Sequence, residues 1–115
     1  MASRGKGARV KGAAFERLIA RTLTAVTPYE WKRGIAQTRD GTIPDVYSDD
    51  VPGFHFELKR MVRCNIKAAL RQALTDIGDK EQVPVVITKE DRGETLVTMR
   101  LDDWLPMFVL YLERE

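Results

Sequence analysis

Apolar and polar side chains alternate strictly along residues 54–59, which read Phe-His-Phe-Glu-Leu-Lys. A period of two predicts a strand with two different faces. We expect the three apolar residues to face a core and the three polar residues to point the other way. Glu57 and Lys59 are then neighbours on one face, about 6–7 Å apart at about 3.3 Å per residue.

A helical period predicts the first element, a helix over residues 11–26. Its apolar residues recur at intervals of three and four and form one stripe, made of Phe15, Leu18, Ile19 and Leu23. Pro28 ends this helix. Residues 1–9 are rich in glycine and cationic residues, and we expect a flexible basic arm there that orders on a phosphate backbone. Residues 10–115 are expected to form a single domain.

Two further helices are predicted downstream. The second follows Asn65, a good N-cap, and stops at Gly78. Its apolar positions repeat at helical spacing and are Ile66, Ala69, Leu70, Ala73, Leu74 and Ile77. The third covers residues 103–112, with Asp102 as its cap, and is more apolar than one buried face requires. Two interpretations of this third helix stay open, burial against a sheet and a dimer interface.

Strands fill the intervals between the helices. Residues 30–35 are predicted to form a first strand that packs through Trp31 and Ile35. Residues 45–47, the turn-rich segment 48–53 and strand 54–59 have the pattern of a hairpin. Residues 84–88 indicate a buried strand, parallel to strand 54–59, and residues 95–101 a strand that pairs with it. This order predicts an α/β sandwich with a small mixed β-sheet flanked by helices.

Composition narrows the class of protein. The chain has 115 residues, of which 43% are hydrophobic and 31% charged, as in one folded domain. Because no apolar run approaches the roughly 18 residues of a membrane span, and no signal-peptide core is present, we expect no membrane partner. Cys64 is the single cysteine, which excludes an intrachain disulfide. The expected location is the cytoplasm, with the nucleoid, or the host cytoplasm for a protein of phage origin, as the alternatives.

Charge is distributed unevenly along the chain. Residues 1–39 contain nine Lys or Arg against two acids and residues 40–115 contain ten against fifteen, so the net charge of +2 conceals a basic first third. A second cluster, without acids, contains Lys59, Arg60, Arg63, Lys67 and Arg71. Basic patches bind phosphate backbones without reading sequence, which favours a nucleic-acid partner. The alternative is a solubilising tail and a solvated helix face.

Asp45 completes a candidate site with Glu57 and Lys59. In the predicted hairpin, Asp45 lies beside Glu57 across the ladder. Two acids that converge on one spot repel each other unless a cation joins them, and carboxylate oxygens suit a hard cation such as Mg²⁺. The Lys59 ammonium is suited to orienting a water or offsetting charge on a phosphate. The alternative is an ordinary solvated strand face.

Pro44-Asp45 followed by Glu57-Leu58-Lys59 resembles the signature of the PD-(D/E)xK nuclease superfamily. Within it, residues 11–17 (Lys-Gly-Ala-Ala-Phe-Glu-Arg) and 39–45 (Arg-Asp-Gly-Thr-Ile-Pro-Asp) resemble the archaeal-type Holliday-junction resolvases. The resemblance covers residues 6–74 and implies a restriction-endonuclease-like fold. It also implies a Mg²⁺-dependent endonuclease, a hydrolase that cuts four-way DNA junctions in recombination or repair and acts as a homodimer. Mn²⁺ is expected to substitute for Mg²⁺.

The resemblance also assigns roles to individual residues. Asp45, Glu57 and the backbone carbonyl of Leu58 are expected to hold the metal. Glu16 is expected to bind a second metal or a metal-bound water, the alternative being an early-turn acid that favours the helix dipole. Lys59 is expected to orient the attacking water or to offset transition-state charge.

A wider set of residues is expected to contact DNA or to support the site. The expected DNA contacts are Arg4, Lys6, Arg9, Lys11, Arg39, Thr42, Arg60, Arg63 and Lys67. Gln72 and His55 are candidates for residues that support the site by contacting its ligands. The alternatives are a plain surface glutamine and a structural histidine whose hydrogen bonds are satisfied.

Two other functions stay open. The first is a nuclease with the same chemistry that acts on duplex ends, flaps or a specific DNA site. The second is a junction-binding protein that does not cut. Clustered acids facing an anionic backbone argue against the second, because a binder gains nothing from them.

Overall fold

The computed structural model of the chain describes residues 2–35 and 43–114, and for residues 2–5 the backbone alone. Within these ranges the elements are α1 (Ala2–Val26), β1 (Lys32–Arg33), β2 (Val46–Tyr47), β3 (Phe54–Met61), α2 (Ile66–Ile77), β4 (Val83–Glu90), β5 (Thr95–Thr98) and α3 (Leu101–Glu113). The five strands form one mixed sheet. The predicted α/β fold class is therefore confirmed.

Strand β3 lies at the centre of the sheet, whose order is β1-β2-β3-β4-β5. Its antiparallel neighbour is β2, with Val46 opposite Phe56. Its parallel neighbour is β4, with Glu57 opposite Val86. The other two pairings are antiparallel. Both the predicted hairpin and the predicted parallel strand are confirmed.

The main core lies between α1 and one face of the sheet. Its buried members are apolar residues of the helix and of the strands it covers, namely Phe15, Ile19, Ala20, Trp31, Val46, Leu58, Val85 and Ile87. The Trp31 and Phe56 rings meet edge to face, with centroids 5.5 Å apart. This core anchors β3 through one face only.

Two residues expected in this core are exposed. Leu18 is 47% exposed, because the covered stripe of α1 is centred on Phe15 and Ile19 and continues to Ala20. Ile35 is 57% exposed and lies beyond the end of β1 at Arg33. The predicted strand over residues 30–35 is therefore shorter than expected.

Helix α1 begins at Ala2 rather than near residue 11, so residues 2–9, expected to be a flexible arm, have a helical backbone. Once a helix is nucleated by its docked part, each added residue requires little further ordering, and no proline interrupts this segment. The functional division into a basic arm and a nuclease domain stays a prediction.

Helix α2 covers the other face of the sheet. Asn65 is its N-cap, and the side chain accepts a hydrogen bond from a backbone N–H three residues later. Gly78 ends it in a left-handed conformation, with φ of 58°. Ala69 and Ala73 are buried against β3 and β4, and their small side chains let the helix lie close to the sheet. This approach brings Asp76, one turn further on, toward the polar face of β3.

Helix α3 differs from its prediction in its cap and in its packing. It begins at Leu101 with Arg100 as N-cap, and Arg100 donates to the Asp103 carboxylate at 2.7 Å, so Asp102 is not the cap. None of the residues described in this helix is buried. The expectation that α3 is buried against the sheet is wrong, and its apolar side chains are exposed.

In residues 2–35 and 43–114, no helix is both long enough and apolar enough to cross a membrane.

Candidate active site

The polar face of β3 forms the floor of the candidate site. His55 is completely buried and Glu57 is 7% exposed, while Lys59 is partly exposed at the open end. The Lys59 Nζ lies 3.6 Å from Glu57 Oε2. The predicted strand with two faces is thus confirmed, and its polar face is covered rather than solvated.

Asp45 is held beside Glu57 by backbone contacts. Its N–H donates to the Phe56 carbonyl at 3.0 Å, and its carbonyl accepts from the Gly34 N–H at 2.8 Å. Its carboxylate accepts from the Leu58 N–H at 2.8 Å. A Cβ at position 34 would overlap the Pro44 carbonyl oxygen, so this close approach requires glycine. The side chain of Asp45 is therefore fixed against the peptide that joins Glu57 to Leu58.

Both acids of the site have a raised pKa, and Asp45 hinders the ionisation of Glu57. Burial raises the pKa of Asp45, with Glu16 and Asp76 adding to the effect and the Leu58 N–H opposing it. Burial raises the pKa of Glu57 to about 7, with Asp45 adding to it and Lys59 opposing it. Lys59 alone does not compensate two buried carboxylates. Hard oxygen donors that lack counter-charge fit a divalent cation such as Mg²⁺.

Asp76 of α2 belongs to the same cluster and was not predicted from the sequence. His55, Glu57 and Asp76 each direct one possible ligand atom to a common point, with these atoms within 4.8 Å of one another. Gln72 is exposed, and its Nε2 donates to Asp76 Oδ1 at 3.0 Å, so its role in supporting the site stays a prediction. The available signal was the position of Asp76 one helical turn after Gln72.

The role of His55, as a structural histidine or as a residue that supports the site, stays a prediction. The side chain is wholly buried, and in residues 2–35 and 43–114 neither ring nitrogen has a hydrogen-bond partner, nor has Oε1 of the neighbouring Gln82. Burial lowers the pKa of His55, while the nearby Asp76 carboxylate acts in the opposite direction. The ring is therefore directed at Glu57 and Asp76 without being bonded to them.

Glu16 lies in the interior of α1, not in its first turn, so the helix-dipole alternative is wrong. Its carboxylate accepts from Arg33 Nε at 3.0 Å. It is close enough to Asp45 to raise the pKa of that acid. The structure brings Glu16 into the neighbourhood of the site, and its role with a metal stays a prediction.

A basic groove adjoins the open end of the site. Lys11 of α1 converges with Arg60 and Arg63 on a cavity of about 550 Å³. A second cavity of about 290 Å³ also borders Arg63 and continues to Lys59. Asp91 pairs with two of the cations of the groove, with Arg60 Nη1 at 2.6 Å and Lys11 Nζ at 3.5 Å.

The remaining predicted DNA contacts are less clustered. Lys6, Arg9 and Lys67 are exposed on helices. Arg39 and Thr42 lie outside the described residues, as does the side chain of Arg4. The metal contact expected of the Leu58 carbonyl stays a prediction.

The family described as "Phage putative PDDEXK endonuclease" matches residues 7–109. The matched range includes all three residues of the signature and every strand of the sheet. It confirms the predicted superfamily, and the five-stranded mixed sheet with its helices is consistent with a restriction-endonuclease-like fold. No curated protein and no solved structure matched the chain.

Proposed function

The chain belongs to this phage PDDEXK endonuclease family, and we propose that it is a Mg²⁺-dependent DNA endonuclease that cuts four-way junctions. The observation that carries this proposal is the meeting of Asp45 and Glu57 beside Lys59. Both acids have a raised pKa, and Asp45 contributes to that of Glu57. Such a pair favours a divalent cation and offers the ligand chemistry of metal-dependent phosphodiester hydrolysis.

Individual residues take distinct roles in this proposal. Asp45, Glu57 and the Leu58 carbonyl hold Mg²⁺, and Mn²⁺ is able to replace it. The ion supplies a lowered pKa of bound water and stabilisation of developing negative charge. The partly exposed Lys59 ammonium orients the attacking water or offsets charge on the phosphate. Glu16 would complete the site by binding a second ion, or the water bound to that ion. Its carboxylate would then release Arg33.

The basic groove is the proposed path of the DNA backbone. It runs from Lys11 past Arg60 and Arg63 to Lys59, so a strand lying in it passes directly by the acids. Lys6 and Arg9 extend the same positive surface along α1, and Lys67 extends it along α2. Arg4, Arg39 and Thr42 remain proposed contacts of the same backbone. Counterion release makes binding through such contacts depend steeply on salt.

The proposed active form is a homodimer that packs through α3 and β5. The exposed apolar residues of this surface are Leu96, Val97, Leu101, Trp104, Leu105, Met107, Phe108, Val109, Leu110, Tyr111 and Leu112. Edge strand and helix are consecutive in the chain, and Val97, Leu101 and Trp104 line one cavity between them. Two copies related by a two-fold axis present two active sites, which suits paired cuts in a pseudo-symmetric junction. Such an enzyme serves recombination or repair in the cytoplasm.

A cleavage assay tests the substrate. Labelled four-way DNA junction is incubated with Mg²⁺, with linear duplex of the same sequence as competitor and the Glu57→Ala variant as control. Paired cuts near the branch point, lost in the variant, are the expected result. Equal cutting of the duplex would retain the nuclease and replace the junction by duplex ends, flaps or a specific site. Tight binding without cutting in Mg²⁺ or Mn²⁺ would leave a DNA-binding protein.

Light scattering tests the dimer. We expect the mass of two chains for the wild-type protein and of one chain for Leu110→Glu, which introduces a charge into the apolar surface. Glu113→Gln, on the same helix, is the matched control and is expected to stay dimeric. A wild-type protein that has the mass of one chain at high concentration would contradict the dimer.

A further inference from the structure

A second cluster of potential ligands lies behind the pair formed by Asp45 and Glu57. It consists of His55 and Glu57 on β3 and Asp76 on α2, with one ligand atom from each within 4.8 Å of the others. His55 and Glu57 belong to the class of buried residues, and Asp76 is half-buried. The cluster therefore lies under α2 rather than in the open basic groove.

The histidine is the independent sign that the cluster binds something. His55 is 0% exposed, and neither of its ring nitrogens has a hydrogen-bond partner among the described residues. Oε1 of the neighbouring Gln82 is likewise buried and unpaired. A buried polar group that is left unpaired destabilises the folded state, because it has lost its hydrogen bonds to water. Nearly all buried polar side chains avoid this cost by pairing. A ring nitrogen that faces two carboxylates without bonding to either has the arrangement expected of a ligand in a metal-free binding site.

Glu57 turns one oxygen toward each of two sites. Its Oε1 lies 4.0 Å from His55 Nε2, while its Oε2 lies 3.6 Å from Lys59 Nζ. One carboxylate is therefore able to serve the cluster with the first oxygen and the catalytic side with the second.

We propose that His55, Glu57 and Asp76 form a binding site for a divalent first-row transition metal, with Zn²⁺, Mn²⁺ and Co²⁺ as the candidates. Imidazole nitrogen suits these ions, whereas Mg²⁺ prefers oxygen alone. Two carboxylates and a neutral imidazole balance the charge of one divalent ion. Ligands that surround zinc at about 2.1 Å lie about 3.4 Å apart in a tetrahedron, so a modest contraction closes the cluster.

Gln72 supports the proposed ligand on α2. Its amide donates to both oxygens of Asp76, at 3.0 and 3.2 Å, and so holds the carboxylate over the cluster. Hydrogen bonds of this kind orient metal ligands, and losing one typically lowers metal affinity about 10–100-fold. The proposed site shares Glu57 with the proposed nuclease but does not depend on DNA cleavage.

The histidine gives the test a direct readout. His55 is the only histidine in the chain, so its imidazole signals in a ¹⁵N NMR spectrum of tag-free protein are assigned without further work. Titration with Zn²⁺ is expected to shift one ring nitrogen strongly, saturating at one ion per chain, whereas Mg²⁺ leaves that signal close to its starting position. An imidazole spectrum that does not change in excess Zn²⁺ would overturn the proposal.

Three variants separate this site from the nuclease site. Asp76→Asn is expected to lower Zn²⁺ affinity at least tenfold, as read from the His55 signal. Asp102→Asn, an exposed acid on α3, is the matched control and is expected to bind Zn²⁺ like the wild type. Asp45→Asn is expected to keep the His55 shift. Loss of that shift in Asp45→Asn, with Asp76→Asn unaffected, would overturn the assignment.

The two proposals fail independently. A protein that cuts DNA with Mg²⁺ while His55 ignores Zn²⁺ retains the nuclease and loses the transition-metal site. A protein whose His55 binds Zn²⁺ but which cuts no DNA retains the metal site and loses the nuclease.

Discussion

Burial has opposite electrostatic and energetic consequences on the two faces of β3. Leu58 faces α1 and Glu57 faces α2, and each is 7% exposed. On the α1 side burial removes apolar surface from water and stabilises the fold. On the α2 side burial raises the pKa of Glu57 to about 7 and leaves the His55 ring unpaired. One strand thus supplies stability with one face and an electrostatically strained site with the other.

The helices that cover the two faces explain how this is possible. Helix α1 brings the large side chains of Phe15 and Ile19 to its face and fills the space there. Helix α2 brings Ala69 and Ala73 to the opposite face and adds Asp76. A strained arrangement persists only where the surrounding structure holds it in place. Here the core between α1 and the opposite face of β3 holds the strand.

Removing the charge of Glu57 tests the α2 face and carries the largest expected effect. Glu57→Gln keeps the shape of the side chain but removes the carboxylate that is proposed to hold Mg²⁺. We expect single-turnover DNA cleavage to fall by about 10²–10³-fold, the scale found when one group that stabilises transition-state charge is lost. Glu81→Gln, an exposed acid, serves as control. Activity of Glu57→Gln within tenfold of wild type would contradict the assignment.

Removing the ring of Phe56 tests the α1 face. This side chain packs against the core and against Trp31, so Phe56→Ala is expected to lower the free energy of unfolding by about 3 kcal/mol. Urea denaturation measures the change. Val26→Ala, at the exposed end of α1, is the control and should alter the free energy by less than about 1 kcal/mol. Equal losses in the two variants would mean that α1 does not anchor β3.

The pH dependence of stability compares the two faces in one experiment. Because the folded pKa of Glu57 is raised from 4.5 to about 7, the metal-free folded state binds the extra proton between these values. The contribution of Glu57 to the free energy of unfolding is therefore fully present below pH 4.5 and is lost as pH rises through 7. At 1.36 kcal/mol per pKa unit, the loss approaches roughly 3 kcal/mol.

Urea denaturation of chelator-treated protein at a series of pH values measures this loss. Subtracting the curve of Glu57→Gln, which has no such proton to lose, isolates the contribution of Glu57. A difference between the two proteins that stays constant from pH 4 to 8 would show that Glu57 is not strained.

The smallest expected effect concerns the end of β3, where its α1-side face changes from apolar to basic. Asp91 holds Arg60 and Lys11, and Asp91→Asn frees both cations for DNA. We expect an affinity for DNA about threefold higher at fixed salt, as measured by fluorescence anisotropy in metal-free buffer. Glu94→Gln, another exposed acid, controls for the change in net charge. Equal gains in the two variants would indicate a general charge effect without a specific groove.

Much of the fold was predictable because its signals are local. Alternation along residues 54–59, the N-cap Asn65 and the stop at Gly78 each describe a few neighbouring residues, and each was confirmed. The hairpin that carries Asp45 was predictable for the same reason, since a short turn fixes which residues face each other. The matched family supports the signature built on these elements.

The less predictable features depend on which surfaces meet. The sequence by itself determined that β3 has two chemically different faces, since side-chain direction in a strand follows from its period alone. It did not determine that α2 covers the polar face, that Asp76 joins His55 and Glu57, or that Arg33 engages Glu16. Nor did it show that α3, the most apolar helix, leaves its side chains exposed. Only the tertiary structure decided these points, because docking joins residues far apart in the chain and leaves no local pattern.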